Sequence, residues 1–278
     1  SRCRCTEGRL PRSMQIQILG IPTDVNSSYR RGAATAPAAI RQAWRRYAEF
    51  GNAATESGLE IGSDLTIVDL GDVAVHEDES DHAAIAAAAE KAARGGPLWA
   101  VGGDHSVSFP RVEGLAAVHG PLSLLHFDAH PDLYHDYEGN PRSHASPFAR
   151  IMERGLARRL VQVGVRTWNK HNREQAQRFG VEVVEWADFT PATVPIPTGP
   201  LYVTIDLDAL DPAFAPGVAH PEPGGLSVRD IVAVIARIRT QVVGADVVEL
   251  NPAHDTGDAT AIVAVKLIKE LMGAMARR

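Results

Sequence analysis

The feature that most constrains this chain is the alternation of short apolar segments with stretches of helical pattern. The apolar segments are rich in Val, Ile and Leu at nearly every position, which is typical of strands buried on both faces of a parallel sheet. They predict eight strands, at residues 14–20, 65–70, 97–101, 122–127, 160–165, 181–185, 201–205 and 243–249. Helices are predicted at residues 36–48, 83–94, 227–239 and 258–275. The pattern predicts a three-layer, doubly wound α/β fold with a mostly parallel eight-stranded sheet.

The length of 278 residues allows one large domain or two small ones. The chain contains no internal repeat and no low-complexity linker, so residues 14–278 are predicted to form a single domain. Residues 1–13 are polar and basic, and Met14 then begins an apolar segment. We expect residues 1–13 to be a disordered tail or a tag. The alternative is a redox or metal site at Cys3 and Cys5, which lack partner ligands in the sequence.

Composition excludes several classes of protein. The net charge is −6, from 28 Lys and Arg against 34 Asp and Glu, which argues against nucleic-acid binding. No segment approaches the roughly 18 uninterrupted apolar residues that a membrane helix needs. The chain has only two cysteines and no apolar export signal at its start. We therefore expect a reducing, cytoplasmic location.

Polar segments follow four of the predicted strands at the point where each strand ends. They are GGDHS at 102–106, DAHPD at 128–132, DLDALDP at 206–212 and ELNP at 249–252. Open parallel sheets bind ligands in a crevice at the carboxyl ends of their strands. We therefore expect these four segments to converge on one site.

The side chains in these segments predict the kind of metal site. The residues able to bind a metal are two histidines and four aspartates, namely His105, Asp128, His130, Asp132, Asp206 and Asp208. Alternate residues at a strand end point the same way, which suits the spacing within each segment. Carboxylate and imidazole ligands without thiolate favour Mn²⁺ over structural zinc, and Ni²⁺ or Co²⁺ would suit the same donors. Six ligands exceed the need of one open site and predict two ions about 3.5–4 Å apart.

Three neighbouring positions are not expected to bind a metal. Asp104 is expected to have a structural role beside the ligands. His126, on the apolar strand before DAHPD, is expected to be a core histidine. The glycine pair Gly102-Gly103 lacks the lysine of a phosphate-binding loop and predicts a tight turn between strand and loop instead.

The charge balance of the predicted site favours a small cation as its ligand. Two divalent ions against four aspartates, one hydroxide and Glu249 leave a net charge of about −2. No Lys or Arg occurs in residues 97–110, 121–141, 201–228 or 245–260. A phosphate-processing site would bring such residues to the anion.

The same segments resemble the ureohydrolase family, which includes arginase, agmatinase and their relatives. GGDHS, DAHPD and DLDALDP correspond to three metal signatures of that family. The resemblance extends over DAHPDLYHDYEGNPRSHASPFARIME, DPAFAPGVAHPEPGGLS and VVGADVVELNPAHDT. It covers the chain from Met14 to about Met275 and is greatest to plant-type arginases and bacterial agmatinase-like proteins.

The resemblance implies two Mn²⁺ ions that share two bridging carboxylates, and it divides the ligands between them. The first ion would be bound by His105, Asp128, Asp132 and Asp206, and the second by Asp128, His130, Asp206 and Asp208. Water activated by the metals would attack the guanidinium carbon, giving urea and an amine. Asp132 would orient this water, Glu249 would bind the guanidinium, and His144 would protonate the leaving amine.

The resemblance leaves the substrate open between arginine and agmatine, which lacks the α-carboxylate. Tyr134 stands where animal-type arginases have an Asn that contacts this carboxylate. Replacement contacts would lie about 10 Å from the metals, and Asn140, Arg142 and Ser143 are the candidates. Arginine ranks slightly ahead of agmatine, with guanidinobutyrate behind them.

Two other functions remain open on the sequence. A single-zinc deacetylase shares this fold superfamily, but it needs only one Asp-His-Asp site and would leave the second histidine without a role. A non-catalytic relative could use the same fold for binding, although complete metal ligands argue against it. Members of the ureohydrolase family, which this sequence resembles, are trimers or hexamers. The resemblance therefore also implies a homo-oligomer.

Overall fold

The computed structural model describes residues 14–49 and 53–277. Within these residues the chain has eight strands, numbered β1 to β8, at Met14–Gly20, Leu65–Asp72, Leu98–Val101, Leu122–Phe127, Ala157–Val163, Glu182–Val184, Leu201–Asp206 and Val242–Val248. Its α-helices, α1 to α7, are Ala36–Glu49, Ser80–Ala93, Ser108–His119, Pro147–Glu153, Lys170–Phe179, Val228–Ala236 and Ala259–Ala276. The predicted tail, with Cys3 and Cys5, lies outside the described residues.

The strands form one sheet in which every pair is parallel, in the order β2-β1-β3-β8-β7-β4-β5-β6. The prediction of a doubly wound, eight-stranded parallel sheet is confirmed. The four strands that precede the polar segments, β3, β8, β7 and β4, are neighbours at its centre. All of their residues are buried, which explains their continuous apolar sequences. Parallel pairing puts their carboxyl ends along one edge.

Helices cover both faces of the sheet and create two hydrophobic cores. Helices α1, α6 and α7 pack on one face, where Ile40 and Leu267 are buried. Helices α2 to α5 pack on the other, where Ile85, Leu115 and Phe148 are buried. The sheet is therefore the middle of three layers, as predicted.

The four predicted helices correspond to α1, α2, α6 and α7. The start of α6 is fixed by a capping box, in which Ser227 and Asp230 each bind the other's backbone N–H. Helices α3, α4 and α5 were not predicted from the sequence. Pro110 and Gly114 interrupt the helical pattern of α3, and α4 and α5 have only 7 and 10 residues. Among the described helices none is long and apolar enough to cross a membrane.

A buried ion pair joins α3 to the central strands β7 and β8. Arg111 is fully buried, and its Nη1 donates to Asp246 Oδ2 at 2.8 Å and to the Tyr202 hydroxyl at 2.7 Å. Its Nη2 donates to the Ala245 carbonyl at 3.0 Å. Because α3 follows directly on the segment that carries His105, this pair also holds that segment against the sheet.

We expect Arg111→Met to lower the free energy of unfolding by about 3–5 kcal/mol, because the Asp246 carboxylate would remain buried without its partner. Arg159→Met, which breaks a surface pair with Glu182, should cost less than about 1 kcal/mol. Urea denaturation of the two metal-loaded variants, followed by circular dichroism, measures the difference. If both variants lost the same free energy of unfolding, the buried pair of Arg111 would stabilise the fold no more than a surface pair does.

Candidate metal centre

His105 is surrounded by carboxylates at the carboxyl end of β3. Its Nδ1 lies 3.1 Å from Asp128 Oδ2, 3.0 Å from Asp132 Oδ2 and 3.2 Å from Asp206 Oδ2. The ring is fully buried, and its other nitrogen, Nε2, lies 3.0 Å from Thr204 Oγ1. With Nε2–H donating to Thr204, the Nδ1 lone pair faces the three carboxylates and is available to a metal.

His130 is the centre of a second cluster, joined to the first by one carboxylate. Its Nδ1 lies 3.0 Å from Asp208 Oδ2 and 3.4 Å from Asp128 Oδ1. Asp128 therefore directs one oxygen toward His105 and the other toward His130. This is the arrangement that a carboxylate bridging two ions requires.

The spacing of these atoms fits bound cations better than hydrogen bonds. Ligand atoms about 2.0–2.2 Å from an ion at right angles to one another lie about 3 Å apart, which is the spacing around His105 Nδ1. That nitrogen has no hydrogen-bond partner of good geometry among the described residues, although three carboxylates are close to it. The residues present therefore fit a pair of divalent ions.

The electrostatics of the aspartates support the same conclusion. Burial and the charge of Asp128 raise the pKa of Asp208 to about 7. Burial, Asp208 and Asp128 raise the pKa of Asp206 well above its usual range. Burial and mutual repulsion thus disfavour the charged forms of Asp206 and Asp208, and cations would stabilise them.

His126 supports this centre in a way that the sequence prediction missed. It is fully buried, as expected of a core histidine, but its Nε2–H donates to Asp128 Oδ2 at 2.7 Å. Gln162 Nε2 donates to the other ring nitrogen at 3.0 Å, which fixes the tautomer, and the ring stacks on Phe148 with centroids 4.0 Å apart. His126 and Asp128 are two residues apart at a strand end, and this spacing was the available signal.

Backbone turns aim the side chains into the centre. Gly102 and Gly103 have φ of +77° and +84°, and a Cβ on Gly103 would lie 2.9 Å from the Ile21 carbonyl oxygen. They form the predicted tight turn. Asp132 and Glu249 also have positive φ, of +49° and +64°. Such conformations are uncommon in residues other than glycine and cluster at functional sites.

Glu249 lies beside the cluster with one carboxylate oxygen unpaired. Its Oε1 accepts the backbone N–H of His105 at 2.9 Å and Nδ1–H of His144 at 2.8 Å. Its Oε2 is buried and has no hydrogen-bond partner among the described residues. An unpaired buried carboxylate oxygen is costly unless a ligand pairs with it.

A neighbouring carboxylate raises the pKa of His144. Burial lowers its pKa, but the charge of Glu249 and the hydrogen bond to it outweigh burial and raise the pKa to about 9. Its Nε2 lies 2.8 Å from Ser28 Oγ. The ring is therefore held between a carboxylate and a hydroxyl at the edge of the cluster.

A cavity of about 420 Å³ opens above these residues. Its floor includes His130, Asp132 and Glu249, and its outer wall includes Tyr134 and Trp168. In the described part of the chain, no Lys or Arg lines it. The lining suits a small cationic molecule, as the charge balance predicted.

The structure separates Tyr134, also a predicted substrate residue, from the candidates Asn140 and Ser143. Tyr134 lines the cavity, and its hydroxyl accepts Asn169 Nδ2–H at 2.7 Å. Asn140 instead donates to Asn26 Oδ1 at 3.1 Å, and Ser143 Oγ accepts the Ala145 N–H at 3.2 Å. Neither is among the residues that line the cavity. Ser143 binds within the loop that carries His144, whereas Asn140 joins that loop to the segment between β1 and α1.

Comparison with known proteins identifies the family. The sequence model of the arginase family matches residues 14–273. The chain belongs to the arginase family. It is 45% identical to "Arginase 1, mitochondrial" of Arabidopsis thaliana over 278 residues, 94% of this chain and 81% of that protein. It is 34% identical to an agmatinase of Chromobacterium violaceum over 281 residues, 94% of this chain and 84% of that protein.

A solved structure of an arginase-family relative agrees with the fold described above. The arginase from Medicago truncatula is 42% identical to this chain, with a TM-score of 0.86 over 95% of this chain and 88% of that one. The resemblance to ureohydrolases is thus confirmed. So is the predicted class of enzyme, a metal-dependent ureohydrolase.

The predicted cytoplasmic location of this arginase-family protein is wrong. The Arabidopsis relative is named mitochondrial, and a second Arabidopsis arginase is named chloroplastic/mitochondrial. The prediction failed because scarce cysteines indicate only the redox conditions of a compartment. The compartment itself is set by signals that receptors recognise.

We expect Asp128→Ala to remove more bound metal than His130→Ala, because Asp128 faces both clusters and His130 only one. After loading with Mn²⁺ and desalting, the wild-type chain should hold two ions, the His130 variant one and the Asp128 variant none. Elemental analysis by mass spectrometry gives these ratios. A fully active wild-type chain with a single ion would refute the dinuclear centre.

We expect His126→Phe to weaken metal binding about 10–100-fold, since phenylalanine keeps the stack on Phe148 but loses the hydrogen bond to Asp128. Competition with a chelator of known affinity measures the change. The control is His82→Phe, which removes a half-buried pair with Glu113 between α2 and α3 and should leave metal affinity unaltered. Identical affinities in both variants would argue against the assigned role of His126.

Proposed function

We propose that this protein hydrolyses a guanidino compound to urea and an amine with two Mn²⁺ ions. The observation that carries the proposal is the unpaired, buried Oε2 of Glu249 beside the aspartate and histidine cluster. Two divalent ions, when bound, would supply a water activated as a nucleophile near neutral pH. The proposed ligands are His105, Asp128, Asp132 and Asp206 for one ion, and Asp128, His130, Asp206 and Asp208 for the other.

Glu249 is proposed to bind the guanidinium group. Burial raises its pKa, but the charge and hydrogen bond of His144 outweigh burial and lower the pKa overall, so the carboxylate stays ionised. Its Oε1 is held by His105 and His144, which leaves Oε2 to face a planar cation. A carboxylate paired with a guanidinium orients it as well as attracting it. This contact would hold the central carbon of the substrate over the cluster.

His144 and Asp132 are proposed to handle protons during the reaction. An amine leaves poorly as an anion, so the C–N bond breaks readily only when the nitrogen receives a proton. The raised pKa of His144 keeps that proton available near neutral pH. Asp132, whose Oδ2 points into the cluster, would accept a hydrogen bond from the attacking water and orient it.

We place arginine ahead of agmatine as the substrate, with guanidinobutyrate behind them. The support is the greater identity to proteins named arginases, at 42–45% in six plant sequences, than to the agmatinase at 34%. Manganese is placed ahead of Ni²⁺ and Co²⁺ on the ligand types. A trimer or hexamer is the proposed assembly.

The alternatives account for the geometry less well. A single-zinc deacetylase would use one cluster, yet His130 and Asp208 form a second cluster that shares Asp128 with the first. A non-catalytic binding protein would have no need for an unpaired buried carboxylate next to that pair.

We expect His144→Ala to lower kcat about 10²–10⁴-fold, as removal of a general acid does, with two ions still bound. Urea release and metal analysis on the same samples measure both quantities. His76→Ala, at an exposed residue between β2 and α2 that does not line the cavity, is the control and should keep full activity. Loss of metal from the His144 variant would contradict a role confined to proton transfer.

We expect Glu249→Gln to raise KM because the amide is uncharged and cannot pair with a cation as the carboxylate does. Both ions should remain bound, since Glu249 is not a proposed ligand. Steady-state urea release at fixed metal content gives KM. An unchanged KM would remove Glu249 from the guanidinium contact.

The substrate is tested by urea release from arginine and agmatine, compared as kcat/KM. Arginine is expected to give the larger value. If kcat/KM were tenfold larger for agmatine, a difference of about 1.4 kcal/mol in transition-state stabilisation, the ranking of substrates would be wrong. The proposed ureohydrolase activity would still stand. Absence of urea from every guanidino compound, with two ions bound, would overturn the function itself.

A further inference from the structure

The proposed substrate brings a negative group into a cavity that no Lys or Arg of the described residues lines. The α-carboxylate of arginine lies at the far end of its side chain, away from the guanidinium. Besides the metal-binding aspartates, Glu222 lines this cavity, and its Oε1 lies 3.8 Å from His130 Nε2. A carboxylate placed there without a cation would be unfavourable. An arginine side chain that pairs with this carboxylate would have to come from beyond the lining residues, none of which is Lys or Arg among the described residues.

Arg30 is an exposed cation without a carboxylate partner in the part of the chain that the structure describes. Its guanidinium lies 4.9 Å from the centre of the Tyr29 ring. Its neighbour Arg31, in contrast, pairs with Asp24 at 2.8 Å and also with Glu77. The charge of Arg30 is therefore free to bind an anion.

The side chain of Arg30 is connected to the cavity lining through Tyr29. Tyr29, on which it stacks, packs against His220 with ring centroids 5.2 Å apart, and His220 lines the cavity. Ser28 lines the cavity too and contacts His144. The segment that carries Arg30 thus forms part of the rim, on the side of the proposed proton donor.

The backbone at Arg30 is held in an unusual conformation by the same segment that carries Glu249. Its φ is +25°, in the region that residues other than glycine rarely adopt. Its carbonyl accepts Asn251 Nδ2–H at 2.8 Å, and Asn251 is fully buried two residues after Glu249. This bond fixes the base of the Arg30 side chain relative to the proposed guanidinium contact.

We propose that Arg30 binds the α-carboxylate of arginine at the mouth of the cavity and so selects arginine over agmatine. The inference rests on the proposed function. A guanidinium binds a carboxylate through two parallel hydrogen bonds. Agmatine offers no carboxylate and carries one more net positive charge than arginine, so Arg30 repels it. Selection then uses attraction and repulsion together.

The test replaces Arg30 with glutamine. The glutamine side chain keeps the first two methylene groups of arginine and is polar, but it has no charge. For arginine, kcat/KM should fall about 10–100-fold, the range expected for the loss of a hydrogen-bonded charge. For agmatine it should stay the same or rise. Argininamide, which keeps the α-amino group but lacks the carboxylate, should behave like agmatine in showing no loss.

Arg173→Gln is the matched control. Arg173 also stacks on an aromatic ring at the cavity, 3.9 Å from the centre of Trp168, but it pairs with Glu185 at 3.4 Å. This variant should leave the arginine-to-agmatine ratio within about twofold of the wild type, as expected for a surface pair. Arg30→Lys should recover part of the lost ratio, because it restores the charge without the planar fork.

The outcomes separate this inference from the function on which it rests. Equal changes for arginine and agmatine in Arg30→Gln, or an equal loss for argininamide, would overturn the inference while urea release continues. A wild-type enzyme that prefers agmatine would also overturn it. A wild-type enzyme that releases urea from neither compound would overturn the proposed function.

Discussion

The structure depends on the close burial of four aspartates and two histidines at one edge of a parallel sheet. Burial and the neighbouring carboxylates raise the pKa of Asp206 and Asp208, so cations among these side chains would stabilise their ionised forms. The fold tolerates the arrangement because the four central strands end side by side. Two divalent ions would convert this electrostatic cost into binding energy for the metal.

Around this cluster, neutral groups and backbone fix the direction of each charged side chain. His126 and Thr204 hold one oxygen of Asp128 and one nitrogen of His105, so the remaining donor atoms face inward. The Arg111–Asp246 pair holds α3 against β8 immediately before Glu249 leaves that strand. The precision of the centre therefore comes from buried hydrogen bonds as much as from the ligands.

The proposed substrate site has a negatively charged floor and, at its mouth, a positively charged side chain. This arrangement suits a substrate with two kinds of charged group. Its floor combines the aspartate cluster with the unpaired oxygen of Glu249 and attracts a guanidinium. Its outer wall includes the aromatic rings of Tyr134 and Trp168, and the proposal puts the charge of Arg30, which lies over the Tyr29 ring, beside that wall. A molecule with a cation at one end and a carboxylate at the other would meet complementary charge at both.

The sequence by itself determined the sheet and the family, because continuous apolar strands and closely spaced ligands are local patterns. It did not reveal α3 to α5, whose short or interrupted patterns become helices only when packed on the sheet. Nor did it show that Ser143 binds within its own loop or that Asn140 binds Asn26, 114 positions away. Arg30 and Asn251 are 221 positions apart in the chain. Only the tertiary structure decided that they meet, because contacts between distant segments leave no periodic trace in the sequence.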